Sequence, residues 1–338
     1  MANVRVAHTA TVLSNGKVLI AGGGDLSEDW TSTELYDPLT QVWTPTGSMH
    51  LGRYFHTMSG LLDGKQLVTG GETKRFFTDS VELYDPVFGN WTVIQSMHKK
   101  RNYHTASTLL NGKVLVVGGF KDHWQVLNSA ELYDPSTGLW TMTGNLTQER
   151  AGHTASVLLD GRVLVVGGMT NVSDITKTSE LYDPSTGLWT ATGNISQTRT
   201  NHAAVTLKNG KVLIIDGIDE NVDGINRTEL YDPSTRLWTL TGDMKYSRTF
   251  HTASLLHNGN VLVAGCEVNP NGITIPMNTT DIYNSSTGIW TSVQEMGTPR
   301  VLHTASVLHN GYVLVAGGAR SEVEILRTAE LFVSLTNH

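Results

Sequence analysis

Three groups of residues in this 338-residue chain are of types and spacings that could do chemistry. The first is Arg101-Asn102-Tyr103-His104, where a phenol and an imidazole on adjacent residues could ligate copper. The second is Asp219-x-Asn221-x-Asp223-Gly224, whose alternating oxygens and closing glycine fit the first half of a calcium loop. That pattern breaks off at Arg227 and Leu230, where acids are wanted, so a plain polar turn competes with calcium there. The third is a set of seven histidines, His8, His56, His104, His153, His202, His251 and His303, each three residues after an arginine. Such a set could hold a transition metal when neutral or an anion when protonated.

The spacing of the histidines shows which elements carry them. They recur every 48, 48, 49, 49, 49 and 52 residues, and the text around them recurs too. "HTASVLLDGRVLVVGG" (153–168) is followed by a variable loop and then by "SELYDPSTGLWTATG" (179–193). Each unit reads as four strands, A to D. Asp160-Gly161 joins A to B as a two-residue hairpin, and Asn-Gly does so in other copies. Pro184 ends strand C, because proline cannot donate to a ladder. Strand B is apolar on successive residues, as in "VLVV" (163–166), so both of its faces must be covered. No segment sustains a 3.6-residue apolar period, so essentially no helix is expected.

The expected fold class is therefore all-β: a single seven-bladed β-propeller over 1–338. Its blades run approximately over 5–50, 51–98, 99–147, 148–196, 197–245, 246–297 and 298–338. Tyr36 and its equivalents on strand C, and Trp43 and its equivalents on strand D, read as packing between blades. A histidine present in every blade meets a need common to every blade: hydrogen bonding between neighbouring A strands. The repeated arginines should tie to the glutamate of "ELYDP" or to loop carbonyls. Because serines and glutamates also recur with the repeat, no catalytic triad or carboxylate pair stands out.

The Gly-Gly doublet, the tyrosine, and the tryptophan six residues after the aspartate of "YDP" resemble the kelch repeat, over nearly the whole chain. That resemblance implies a propeller with strand A on the central channel and strand D at the rim. Asp216-Gly217 and Gly265-Cys266 depart from two of the doublets, and Phe332 replaces the last tyrosine. The seventh unit supplies no tryptophan strand. Blade seven is thus expected to have three strands and an open outer edge that could pair with a second copy, and the chain reads as excised from a longer protein. Kelch-type propellers include the copper radical oxidases, whose "R-x-Y-H" is similar to residues 101–104. Those enzymes also need a second tyrosine and a cross-linked cysteine just before the histidine in other blades. Here that position holds Ala7, Phe55, Gly152, Asn201, Phe250 and Leu302. Tyr103-His104 therefore reads as blade three's copy of a structural position, with the oxidase kept as an alternative.

Strand direction puts the D–A and B–C connections on one face and the A–B and C–D turns on the other. Only the B–C loops differ from blade to blade, so they mark the expected binding face. Its candidate anchors are Trp30, Arg75, Phe76, Phe77, Phe120, His123 and Trp124, from three consecutive blades. A protein or peptide is the expected partner, with a glycan stacking on Trp30 or Trp124 as the alternative. A net charge of −7 without a basic stripe argues against nucleic acid. No apolar run is long enough to span a bilayer, and the lone Cys266 has no internal disulfide partner. Seven N-x-S/T sequons and a start without an apolar h-region leave cytoplasmic and extracellular locations both open. No cofactor is expected beyond calcium at residues 219–223.

Overall fold

β-Branched runs and Gly turns place the first two strands of every repeat. The computed structural model describes residues 1–25, 31–268, 274–321 and 323–332, and these contain strands and turns but no helix. Blade four shows the plan: A is Thr154–Val157, B Val163–Val166, C Ser179–Asp183 and D Leu188–Ala191. The register pairs Thr154 with Val166, Val163 with Tyr182 and Tyr182 with Trp189. Six sheets have four antiparallel strands in this order, and the seventh, in blade seven, has three: Thr304–Val307, Val313–Ala316 and Ala329–Phe332. Residues 333–338 lie outside the described residues. Blade six also carries a short ribbon, Glu267–Val268 against Thr274–Ile275, in its B–C loop.

The A–B turn differs from the expected two-residue hairpin. Leu158 N–H bonds the Arg162 carbonyl (2.8 Å) and Gly161 N–H bonds the Leu158 carbonyl (2.9 Å), leaving the three residues Leu159, Asp160 and Gly161 in the loop. Only Gly161 has a positive φ, 86°. The aspartate stays right-handed and turns its Oδ1 onto the Arg162 amide (3.0 Å), so one left-handed glycine suffices.

Strand B is buried along its whole length in every blade. Its side chains enter clusters that mix two neighbouring blades, such as Leu115 and Val117 with Val163 and Val165. Strand A of each blade packs on strand A of both neighbours, and blade one meets blade seven, so the ring is closed. The aromatic pair seals the outer part of six of the seven seams. In blade four the Tyr182 and Trp189 rings are 5.0 Å apart. Trp189 Nε1 donates to the Gly144 carbonyl of blade three (2.8 Å), and the Tyr182 hydroxyl meets Thr143 Oγ1 (2.9 Å).

Candidate binding face

The repeated arginine and histidine build the inner part of each seam. All seven arginines are fully buried. Arg101 shows the geometry: Nη1 donates to the Gly118 carbonyl (2.7 Å) and Nη2 to Glu131 Oε1 (2.7 Å). Glu131 also accepts the amides of His98 and Lys99, from the linker of the preceding blade (2.7 and 3.1 Å). One carboxylate thus joins two blades. Burial opposes its ionisation, but Arg101, then the amide and ring of His98, hold it below the usual carboxylate range. At the ring's junction Glu34 takes the Ala2 amide in the same way (2.7 Å).

Six of the seven histidines bond backwards, to the first threonine of the preceding strand A. His153 Nε2 meets Thr105 Oγ1 at 3.0 Å, His202 meets Thr154 at 2.8 Å, and His8 meets Thr304 at 3.0 Å. His104 Nε2 lies between Thr57 and Thr69 (3.0 and 3.1 Å). Burial, then the neighbouring arginines, push these imidazoles down: to about 3 for His8, His153, His251 and His303, and well below 6.5 for His56, His104 and His202. They stand as neutral spacers between strands.

The residue before each histidine forms the channel's inner rim. Ala7, Phe55, Tyr103, Gly152, Asn201, Phe250 and Leu302 all lie at φ between 50° and 63°. Left-handed backbone under Phe, Tyr and Leu is strained, and four rim amides help to hold it by bonding from blade to blade, as from Phe55 N–H to the Ala7 carbonyl (3.1 Å) and Gly152 N–H to the Tyr103 carbonyl (3.0 Å). On blades two and three the rim is aromatic. Phe55 stacks on Tyr103 (4.3 Å), Tyr54 lies edge-on to Phe55 (5.5 Å), and Phe120 stands edge-on to Tyr103 (6.3 Å). Burial, with Glu72 and Tyr54 nearby, pushes the Tyr103 phenol well above its usual range. Phe120 was expected on this face from the sequence; Tyr54, Phe55 and Tyr103 join it only through the closing of the ring. The signal for Phe55 and Tyr103 was present, since the residue before the histidine changes from copy to copy while the arginine and histidine do not.

Outside this rim the B–C loops of the same blades carry the other expected anchors. Trp124 is 78% exposed and Phe76 is 49% exposed. Phe77 is buried and meets His123 edge-on at 4.9 Å, joining the two loops. Lys100 Nζ lies 5.6 Å from the Phe76 ring centre. Arg75 lies beside Phe76 and is exposed, as are Lys74, Lys99 and Lys121. Arg75, Lys99, Lys100 and Lys121 form no ion pair among the described residues. Trp30 lies outside the described residues.

Asp219, Asn221 and Asp223 share one exposed turn. Asp219 Oδ1 accepts the amides of Asn221 and Asp223 (2.9 and 3.0 Å), so one of its oxygens is used in shaping the loop. Among the described residues no three His, Cys, Asp or Glu side chains converge as a metal site would require. The opposite face carries shallow clefts between blades, including one of about 500 Å³ lined by Leu110, Asp160, Arg162 and Ser185.

Comparison with known proteins agrees with this architecture. A family model described as the KLHDC2/KLHL20/DRC7 Kelch-repeats domain matches residues 2–168, and the Kelch motif matches residues 150–194. A solved structure titled a novel fungal alcohol oxidase with catalytic diversity among the AA5 family, in complex with copper, superposes with a TM-score of 0.76. It is 20% identical, over 94% of this chain and 70% of its own, a likeness of fold. No curated protein matches by sequence. No helix among the described residues is long and apolar enough to cross a membrane. Repeat, ring and family matches agree that this chain belongs to the kelch-repeat β-propellers, whose fold serves as a scaffold for binding loops and commonly binds proteins.

Proposed function

We propose that the chain is a binding module whose B–C loop face, on blades two and three, takes an acidic protein or peptide segment with an apolar anchor. The observation that carries this reading is the company Trp124 and Phe76 keep. Two exposed rings lie among Lys74, Arg75, Lys99, Lys100 and Lys121 on a protein whose net charge is −7. Rings supply area that stays desolvated when bound, and the cations select the sign of the partner and speed its encounter.

Selection from a peptide display library should return sequences rich in Asp and Glu with one aromatic or aliphatic residue. Their affinity should fall about tenfold or more in Trp124→Ala. It should fall in Lys99→Glu/Lys100→Glu as well, and weaken as salt rises. Neutral or basic peptides, or affinities indifferent to both variants, would sink the reading. Tryptophan fluorescence that shifts with oligosaccharides, with no peptide selected, would favour a glycan instead.

A further inference from the structure

The channel-side halves of the seven seams are built alike except one. In six of them a strand-A threonine bonds the next blade's histidine. Between blades five and six that threonine is Ala203, and neither ring nitrogen of His251 has a partner. In the same six seams a strand-C glutamate accepts linker amides of the preceding blade. Blade six has Asp281 in its place. It reaches Arg248 (2.5 Å) and Ser292 (2.7 Å), but accepts neither the Lys245 nor the Tyr246 amide.

Two further departures converge on His251. In the other six blades a Cβ at the first glycine of the doublet would stand 2.5–3.0 Å from Cε1 of the next blade's histidine. Blade five has Asp216 there, at φ 55°. At the second glycine a Cβ would stand 2.8–2.9 Å from Cβ of the same blade's histidine, and blade six has Cys266 there. By the repeat, Asp216 takes the position that faces the His251 ring, and Cys266 the position beside the His251 Cβ. Asp216 is 0% exposed, and both its carboxyl oxygens lack a hydrogen-bond partner. The outer half of the seam stays intact: Gly242 N–H to the Gly288 carbonyl (3.1 Å), Thr241 Oγ1 to the Tyr283 hydroxyl (2.7 Å), and Trp290 Nε1 to the Gly242 carbonyl (2.9 Å).

We propose that the channel-side half of the seam between blades five and six is the ring's opening point, shut while the Asp216 carboxyl is protonated and released when it ionises. An ionised carboxylate with no donor cannot stay out of water, and this seam has lost two of its inner latches, keeping on the channel side the bond from Gly217 N–H to the Arg248 carbonyl (2.9 Å). The outer contacts then act as the hinge, and the opening would widen the channel mouth on the B–C loop face.

The charged and titratable groups around Asp216 set the sign. Arg248 and Arg199 favour ionisation, but they are engaged by Asp281 and Glu229; Asp281 itself opposes it, His251 is neutral, and Cys266 packs in an apolar cluster with Val301 and Ala319. Burial outweighs them and holds the carboxyl protonated well above its ordinary range. Opening releases the Asp216 proton and, below about pH 6.5, adds one to His251, so the two effects cancel at mildly acidic pH. Above that pH only Asp216 counts, and opening should rise by about tenfold per pH unit until the carboxyl of the closed seam is itself ionised.

Hydrogen–deuterium exchange of the intact protein at pH 6.5 and 8.0, corrected for intrinsic rates, tests this. Protection in 203–206 and 245–252 should fall at the higher pH, should not fall in Asp216→Asn, and should hold in the four–five seam at 154–157 and 196–199. An equal change in the variant, or in every seam, overturns the proposal. Asp281→Glu gives a second route, because the longer side chain restores the amide latch and should suppress opening at both pH values. Unchanged exchange in that variant would equally refute the opening point.

Discussion

Arg101 and Glu131 show how much one residue pair carries. Both are buried, and the carboxylate serves a guanidinium of its own blade and two amides of the preceding one. Glu131→Gln keeps the shape but leaves the Arg101 charge uncompensated. We expect a loss of about 3–5 kcal/mol, read as a lower denaturation midpoint, with Asp134→Asn on the exposed turn changing it far less. The arginine repeat and its glutamate partner were legible in the sequence, because seven copies in step leave few other partners. The double use of the carboxylate was not, because the second blade's amides belong to a linker whose path depends on ring closure. Tyr103 had the same difficulty. Its neighbours Phe55 and Phe120 are 48 and 17 residues away and meet it only at the channel mouth.

At the scale of the element, glycine positions separate local from tertiary demands. Gly138, in the C–D turn of blade three, has φ 71° and open space where a Cβ would stand. Gly118, in the doublet, has φ 61° and a Cβ site 2.3 Å from the Arg150 carbonyl oxygen. Gly138→Ala should cost about 1 kcal/mol, the price of a left-handed L-residue alone. Gly118→Ala should cost about 2–4 kcal/mol because the next blade must also move, and thermal melting of the two variants distinguishes the cases. Strand positions and the turn glycines were readable from local pattern. The length of the A–B turn was not: Asp160 caps the Arg162 amide with its own side chain, so a three-residue loop with one left-handed residue replaces the two-residue turn.

For the whole molecule, seven neutral buried imidazoles make acid the weak side of the stability curve. Their folded values lie below the unfolded 6.5, so the unfolded chain binds more protons as pH falls through that value. Each histidine contributes about 1.4 kcal/mol of destabilisation per pH unit below about 6 until its folded value is reached. A denaturation midpoint that falls steeply from pH 6.5 to 4.5, and less steeply in a variant lacking one ring histidine, is the expected result. A profile flat over that range would show that the imidazoles charge within the fold.

What the sequence by itself determined is everything that repeats. A period of 48 to 52 residues, alternating and continuous apolar strands, and glycine turns compel seven β-sheet units, four-stranded but for the last, that can bury strand B only against one another. Those requirements are local or identical in every blade, so the chain states them seven times. The tertiary structure decided what does not repeat. Residues far apart in the chain, Ala203, Asp216, Cys266 and Asp281, meet at one seam, and Phe76, Lys100 and Trp124 gather on one face. Closing the ring creates those neighbours, and no periodicity records which single departures will face each other across it.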